Sequence, residues 1–173
     1  MVKENNVNQM KMLLILRHAK SSWDDPNLPD YERPLNKRGK KDAPRMGQFL
    51  KDQDLIPDLV LCSTAQRARD TADLVIAASG YAGELRLMPD LYSFNDDPYL
   101  QALQGISDRC ERVMLIGHNP GLEELLVVLT GEVASLPTAA LAQVHIPIQT
   151  WAELLPDASG KLINVWKPKD FVS

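Results

Sequence analysis

Three short apolar runs constrain the fold of this chain more than any other feature. The run Met12–Leu16 ends abruptly in Arg17-His18. Asp58–Cys62 leads into Ser63-Thr64-Ala65-Gln66-Arg67, and Arg112–Gly117 leads into His118-Asn119-Pro120. Apolar runs of this length, bounded by polar sequence, read as strands buried on both faces, as in a parallel sheet covered by helices. The segments between them have helical signals. Asn36 reads as the N-cap of a helix running to about Asp52, with Leu35 as a hydrophobic staple and Met46, Phe49 and Leu50 as its apolar stripe. Pro44 falls inside this pattern, so the helix is either kinked there or regular only from about Ala43. Ser63 reads as the cap of a helix to about Ala78, closed by Ser79-Gly80. Glu84–Met88 reads as a further strand, Asp97-Pro98 opens a helix to about Gly105, and Asn119-Pro120 opens one to about Thr130. Leu141–Ile148, Trp151–Leu155 and Lys161–Trp166 read as strands, with a turn at Asp157–Gly160. This alternation predicts an α/β fold, a three-layer α/β/α sandwich with a mainly parallel sheet and an antiparallel edge.

Length and composition narrow the setting. The chain has 173 residues, 45% hydrophobic and 24% charged, which suits one domain with a real core. We expect a single domain over 12–173 and a flexible N-terminal leader over 1–11. The net charge of −4 argues against a general nucleic-acid binder. No apolar run approaches the length needed to span a bilayer, and the leader lacks the apolar centre of a signal peptide, so a cytoplasmic location without membrane attachment is expected. The two cysteines provide neither a disulfide framework nor metal-ligand spacing, and Cys62, inside an apolar run, reads as a small buried side chain.

Open α/β sheets bind ligands beyond the C-terminal ends of their strands. If the three runs are parallel, Arg17, His18, Arg67 and His118 emerge on one edge: two guanidiniums and two imidazoles around a small volume. Arginine offers a planar fork that matches two phosphate oxygens, helix N-termini add N–H donors, and imidazole is a competent nucleophile toward phosphorus. That set points to phosphoryl transfer. His145 shares a strand face with Gln143, has no helix start after it, and reads as a structural or surface histidine. The long polar loop Ser21–Arg33 reads as a modest lid.

The stretches Leu16-Arg17-His18-Ala19, Arg33-Pro34-Leu35-Asn36-x-x-Gly39, Ser63-Thr64-Ala65-x-Arg67-Ala68-x-x-Thr71-Ala72 and Gly117-His118-Asn119-Pro120 resemble the histidine phosphatase superfamily, most closely its small phosphohistidine phosphatase (SixA-type) branch. The motifs stand in the family's order over about residues 12–168. The resemblance implies a phosphoglycerate mutase-like fold and a phosphatase with a phosphohistidine enzyme intermediate. His18 would be the nucleophile, Arg17 and Arg67 would clamp the phosphoryl oxygens, and His118 would be the second histidine, donating a hydrogen bond to the transferring group. It implies no metal and no cofactor.

Two positions depart from the pattern. Ala19 stands where many relatives have glycine. Relatives that act on phosphate esters usually carry a carboxylic acid after the third strand, where this chain reads Pro89-Asp90-Leu91-Tyr92-Ser93. Ser93 falls at the acid's position, and Asp90, three residues earlier, is either the acid or a turn residue. Without an acid, an alkoxide leaving group is disfavoured, whereas the nitrogen of a phosphoramidate can take its proton from solution. The expected substrate is therefore phosphohistidine in a signalling or phosphotransfer protein. The alternatives are a small phosphate ester as substrate, or a non-catalytic phosphoryl-binding module. Arg33, Lys37, Arg38, Lys40, Lys41 and Arg45 form a basic cluster that is either a solvated helix face or a dock for an acidic partner.

Overall fold

The structure, a computed structural model, describes residues 10–171. Six strands form one sheet: β1 (Lys11–Arg17), β2 (Leu59–Ser63), β3 (Glu84–Met88), β4 (Arg112–Gly117), β5 (Leu141–Ile146) and β6 (Lys161–Trp166). Four helices accompany them: α1 (Lys37–Asp52), α2 (Gln66–Ser79), α3 (Asp97–Gln104) and α4 (Gly121–Thr130). The sheet order is β3-β2-β4-β1-β5-β6. Pairs β2–β3, β2–β4 and β1–β4 are parallel, while β1–β5 and β5–β6 are antiparallel. This is the three-layer α/β sandwich with an antiparallel edge that the sequence predicts.

The period-two geometry of a strand explains the layers. Leu13, Ile15, Leu59, Leu61, Val113 and Leu115 point to one face and pack with Tyr99 and Leu103 of α3 and Leu122, Leu125 and Leu129 of α4. Leu14, Leu16, Val60, Cys62, Met114 and Ile116 point to the other and pack with Ala43, Met46 and Leu50 of α1 and Ala68, Ala72 and Val75 of α2. Each central strand is apolar on both faces because each face is covered. Cys62 is one of these packing residues, fully buried.

Several local readings change. Asn36 does cap α1, its side chain accepting from the Gly39 N–H at 2.9 Å, and α1 runs unbroken through Pro44. Ser63 does not cap α2: it ends β2, and Ala65 takes the N-cap position without a side-chain bond. Pro120 stands just before α4 rather than inside it. Trp151–Leu155 contains a short 3-10 turn, Trp151–Glu153, instead of a strand. Thr150 and Glu153 close a capping box there, and the Trp151 indole is buried and donates to the Cys110 carbonyl. Tertiary packing decides that short apolar segment, whose periodicity fits either state. Of the expected leader, residues 1–9 lie outside the described residues. Lys11 does not belong to it: it opens β1, buried, with its ammonium on Glu111 and the Asp108 carbonyl.

Candidate active site

Register places the site. Arg17 pairs with Gly117 across β1–β4, and Cys62 pairs with Ile116 across β2–β4. Three adjacent parallel strands therefore end at one level, and the residues that follow share an edge. The structure brings Arg17, His18, Arg67 and His118 together in one cavity of about 220 Å³, also lined by Lys20, Ser21, Trp23, Arg33, Phe94, Asn119 and Thr138. His145 lies on β5 outside this cavity, hydrogen-bonded within 3.1 Å of Gln143.

His18 is buried, and its Nδ1 lies 2.8 Å from its neighbour's carbonyl, Ala19 O. A carbonyl only accepts, so Nδ1 carries the ring proton and Nε2 keeps its lone pair. That lone pair faces the Arg67 Nε–H at 3.4 Å. Burial, together with the nearby His118, Arg67 and Arg17, drives the His18 pKa down to about 3, although the Ala19 hydrogen bond opposes the shift. The imidazole is neutral at neutral pH. The Ala19 N–H is held in turn by Thr71 Oγ1, which donates to the Arg67 carbonyl. Thr71 thus ties the β1 end to α2.

His118 is almost fully buried, with its ring 5.0 Å from that of His18. Its Nε2 lies 2.8 Å from Ser63 Oγ. Ser63 is fully buried, and among the described residues its hydroxyl has no other acceptor, so its proton goes to His118 Nε2 while the oxygen accepts the Ala65 N–H. The ring proton of His118 is then on Nδ1, which is buried and has no hydrogen-bond partner. Burial first, and then Arg67, drives the His118 pKa to about 3, so this group is a neutral donor. The His118 backbone N–H is fixed by the Tyr99 hydroxyl at 2.9 Å, and Gly117 leaves room for that ring, which a Cβ would strike.

The two arginines are held from different sides. Arg17 Nη1 donates to the Leu136 carbonyl, while its buried Nε has no partner; burial lowers its pKa, with Glu123 opposing. Asn119 Nδ2 bridges Glu123 and the same Leu136 carbonyl, fixing that wall. Arg67 Nη1 donates to the Asp30 carbonyl at 2.7 Å and Nη2 to Asp30 Oδ2 at 3.0 Å. Asp30 also accepts from Tyr92 and Arg33. Burial pushes its carboxyl up, but the Tyr92 and Arg33 hydrogen bonds and the adjacent Arg67 outweigh that and hold it at about 2. It is a fixed anion. Arg33 also bonds the Ser21 hydroxyl and the Ser22 carbonyl, and Trp23 lies over its guanidinium at 3.2 Å.

Asp90 is not brought to this site. It is exposed in the 3-10 turn Pro89–Leu91 and lines a separate cavity with Met88, Tyr92, Ser93, Pro98 and Gln101. Ser93 faces that second cavity as well, its hydroxyl directed at the Asn95 carbonyl. The carboxylate nearest the arginines is Asp30, which the sequence reading passed over. Ser63, Tyr92, Tyr99 and Asn119 are also contributors it did not single out. Among the described residues no group of three or more His, Cys, Asp or Glu gathers to hold a metal ion, and no helix is long and apolar enough to cross a membrane. The cavity presents cations and N–H donors, a set that suits a small multivalent anion.

The chain was compared with known proteins. The family model of the histidine phosphatase superfamily (branch 1) matches residues 13–95. An uncharacterized chloroplast protein of Arabidopsis thaliana is 34% identical over 152 residues, covering 83% of this chain and 70% of its own length. The crystal structure of a candidate phosphohistidine phosphatase SixA from Agrobacterium tumefaciens is 28% identical with a TM-score of 0.77, covering 91% of this chain and 99% of that one. The protein histidine phosphatase SixA complexed with tungstate, 24% identical, matches in fold with a TM-score of 0.79 over 93% of this chain and 99% of that one.

Proposed function

Because this chain belongs to the histidine phosphatase superfamily, we propose that it is a phosphatase that removes the phosphoryl group from phosphohistidine through a covalent intermediate on His18. The observation that carries this reading is the state of the His18 ring: Nδ1–H is committed to the Ala19 carbonyl, and Nε2 is unprotonated, its lone pair facing only the long 3.4 Å contact from Arg67 Nε–H. In the first step His18 Nε2 forms a bond to phosphorus as the substrate's P–N bond breaks. A phosphoimidazole protonated on its other ring nitrogen leaves as neutral imidazole, so the enzyme supplies no proton. Because His18 keeps its Nδ1 proton, the phosphoenzyme is the same kind of species, a phosphoimidazolium. In the second step water forms the new P–O bond, the P–Nε2 bond breaks, His18 returns to its neutral starting form and dihydrogen phosphate leaves.

Arg17 and Arg67 hold the equatorial oxygens, where a loose transition state spreads its charge. His118 donates its Nδ1–H to the same group. Asp30 positions Arg67 and, as a fixed anion, has no proton to give at neutral pH. None of the residues lining the cavity is a carboxylic acid. An alkoxide leaving from a phosphate ester would depart unprotonated, which is why a phosphoramidate is the better-matched substrate. The tungstate complex of a structural neighbour, itself a tetrahedral oxyanion complex, accords with an anion site in this fold.

The test compares turnover of a phosphohistidine peptide with that of alkyl phosphate esters, and traps the phosphoenzyme. The expected result is preference for phosphohistidine and an acid-labile, base-stable phosphoryl group on His18. Equal turnover of alkyl esters would overturn the substrate assignment, and unchanged hydrolysis by His18→Ala would overturn the mechanism.

A further inference from the structure

The cations of α1 are not part of the phosphoryl cavity, apart from the preceding Arg33, and they work against their own helix. Lys37, Arg38, Lys41 and Arg45, with Lys169 from the turn Pro168–Phe171, surround a surface hollow of about 420 Å³. Lys37, Lys41 and Arg45 follow one another at i, i+4 spacing, where like charges repel. Lys37 and Arg38 stand in the first turn of α1, which has no acidic residue, so they also oppose the positive end of the helix dipole. Among the described residues only Asp42 answers them. It is buried in the floor of the hollow, with Arg38 Nε at 3.4 Å and Arg45 Nη1 at 3.6 Å, and its Oδ2 has no hydrogen bond. Among the described residues, Lys37, Lys41 and Lys169 form no ion pair. This basic stripe sits in a protein of net charge −4.

The stripe begins at the wall of the phosphoryl cavity. Asn36, one residue before Lys37, donates its N–H to the Lys20 carbonyl, and Lys20 lines the cavity. Gly39 brings the first turn of α1 so close to Lys20 that a Cβ would clash with its backbone. From Lys37 to Arg45 the helix rises about 12 Å. A partner whose phosphorylated side chain enters the cavity therefore has the next stretch of its surface opposite the stripe.

We propose that this face of α1, with Lys169, is the docking surface for an acidic region of the phosphorylated protein substrate. The proposal rests on the reading of the site as a phosphohistidine phosphatase. Exposed cations of this kind contribute through steering and charge complementarity, and salt weakens them. The buried Asp42 draws the Arg38 and Arg45 guanidiniums to one face.

The experiment uses two fluorescent peptides of equal length around one histidine, one flanked by Asp and Glu, the other by Asn and Gln. Each is measured unphosphorylated for binding and phosphorylated for turnover. The intact chain should bind the acidic peptide about tenfold more tightly at low salt, and half-molar salt should erase the difference. Lys37→Glu/Lys41→Glu should remove the preference while leaving turnover of the neutral peptide unchanged. Lys40→Glu makes the same charge change beside a different hollow, with Gln66 and Asp70, and should shift binding by less than about twofold. Equal binding of the two peptides, an equal loss in Lys40→Glu, or retention on anionic phospholipid vesicles without peptide preference would each overturn the docking surface. Peptide binding lost in the double variant but no phosphohistidine turnover would overturn the substrate reading and leave the surface standing. Turnover without acidic preference would do the reverse.

Discussion

The two groups of cations in this protein bear the same charge and are treated in opposite ways. Arg67 is 4% exposed, and each nitrogen of its guanidinium has a directed partner: Asp30 twice, and His18 Nε2. The Arg38 side chain is 65% exposed and makes one long ion pair at 3.4 Å. In the cavity, burial makes each donor expensive to place and strong once placed, so partners orient both guanidiniums and both rings, leaving Arg17 Nε and His118 Nδ1 unpartnered. On α1, water and salt screen the charges and side-chain freedom is kept. The first arrangement suits a transition state with defined oxygen positions. The second suits a partner surface whose carboxylates need only be roughly opposite. The difference predicts that substitutions in the cavity act on kcat and substitutions on α1 act on KM and on its salt dependence.

The largest effect is expected at His18. His18→Asn keeps a polar side chain but no nucleophilic nitrogen, so turnover and the phosphoenzyme should both vanish in a trapping assay. Next comes Arg67→Lys, which keeps the charge and removes the fork that binds Asp30 and the phosphoryl oxygens together. Loss of one such preorganised donor costs on the order of 10²–10³ in rate. A fall in kcat/KM below about fivefold, reversed by lowering salt, would place Arg67 with the α1 cations and break the contrast.

Ser63→Ala should cost less, about tenfold in kcat, because it frees the His118 tautomer without removing the ring. Ser63→Thr retains the hydroxyl and should restore the rate. This residue shows how far the sequence could be read. The three strand ends and the residues that follow them were legible, since apolar runs, helix starts and parallel topology place Arg17, His18, Arg67 and His118 by local rules. Ser63 was legible in the residue-by-residue reading only as a cap, because a serine after a strand looks the same whether it faces a helix N–H or a histidine at the end of the neighbouring strand. Asp30 was hidden for a similar reason: Asp24, Asp25 and Asp30 all lie in one polar loop, and only tertiary contact with Arg67 and Tyr92 distinguishes the third. Asp90 attracted attention through its place in the chain order, and the turn at Pro89 directs it to another cavity.

Asp30→Asn separates positioning from acid catalysis. If Asp30 positions Arg67, the loss should be roughly threefold to tenfold and the same for substrates with good and poor leaving groups. An acid would show a loss confined to poor leaving groups.

The smallest effect expected is a slope in stability, and it sharpens the contrast between buried and exposed groups. His18 and His118 are neutral in the folded chain down to about pH 3, whereas an unfolded histidine takes up a proton near 6.5. Between those values the unfolded state holds more protons, so stability is fully present above about pH 6.5 and falls as pH drops toward 3. Denaturant midpoints measured from pH 7 to 4 should fall in the wild type and fall less steeply in His18→Asn, by the share of one proton. Lys37→Gln/Lys41→Gln removes the same two charges without adding a carboxylate that would take up protons between pH 7 and 4, and should leave that slope unchanged. An equal change of slope in both variants would mean that the cavity histidines respond to the whole basic surface. The two cation groups would then be one electrostatic unit, and the division of labour between clamp and dock would fail.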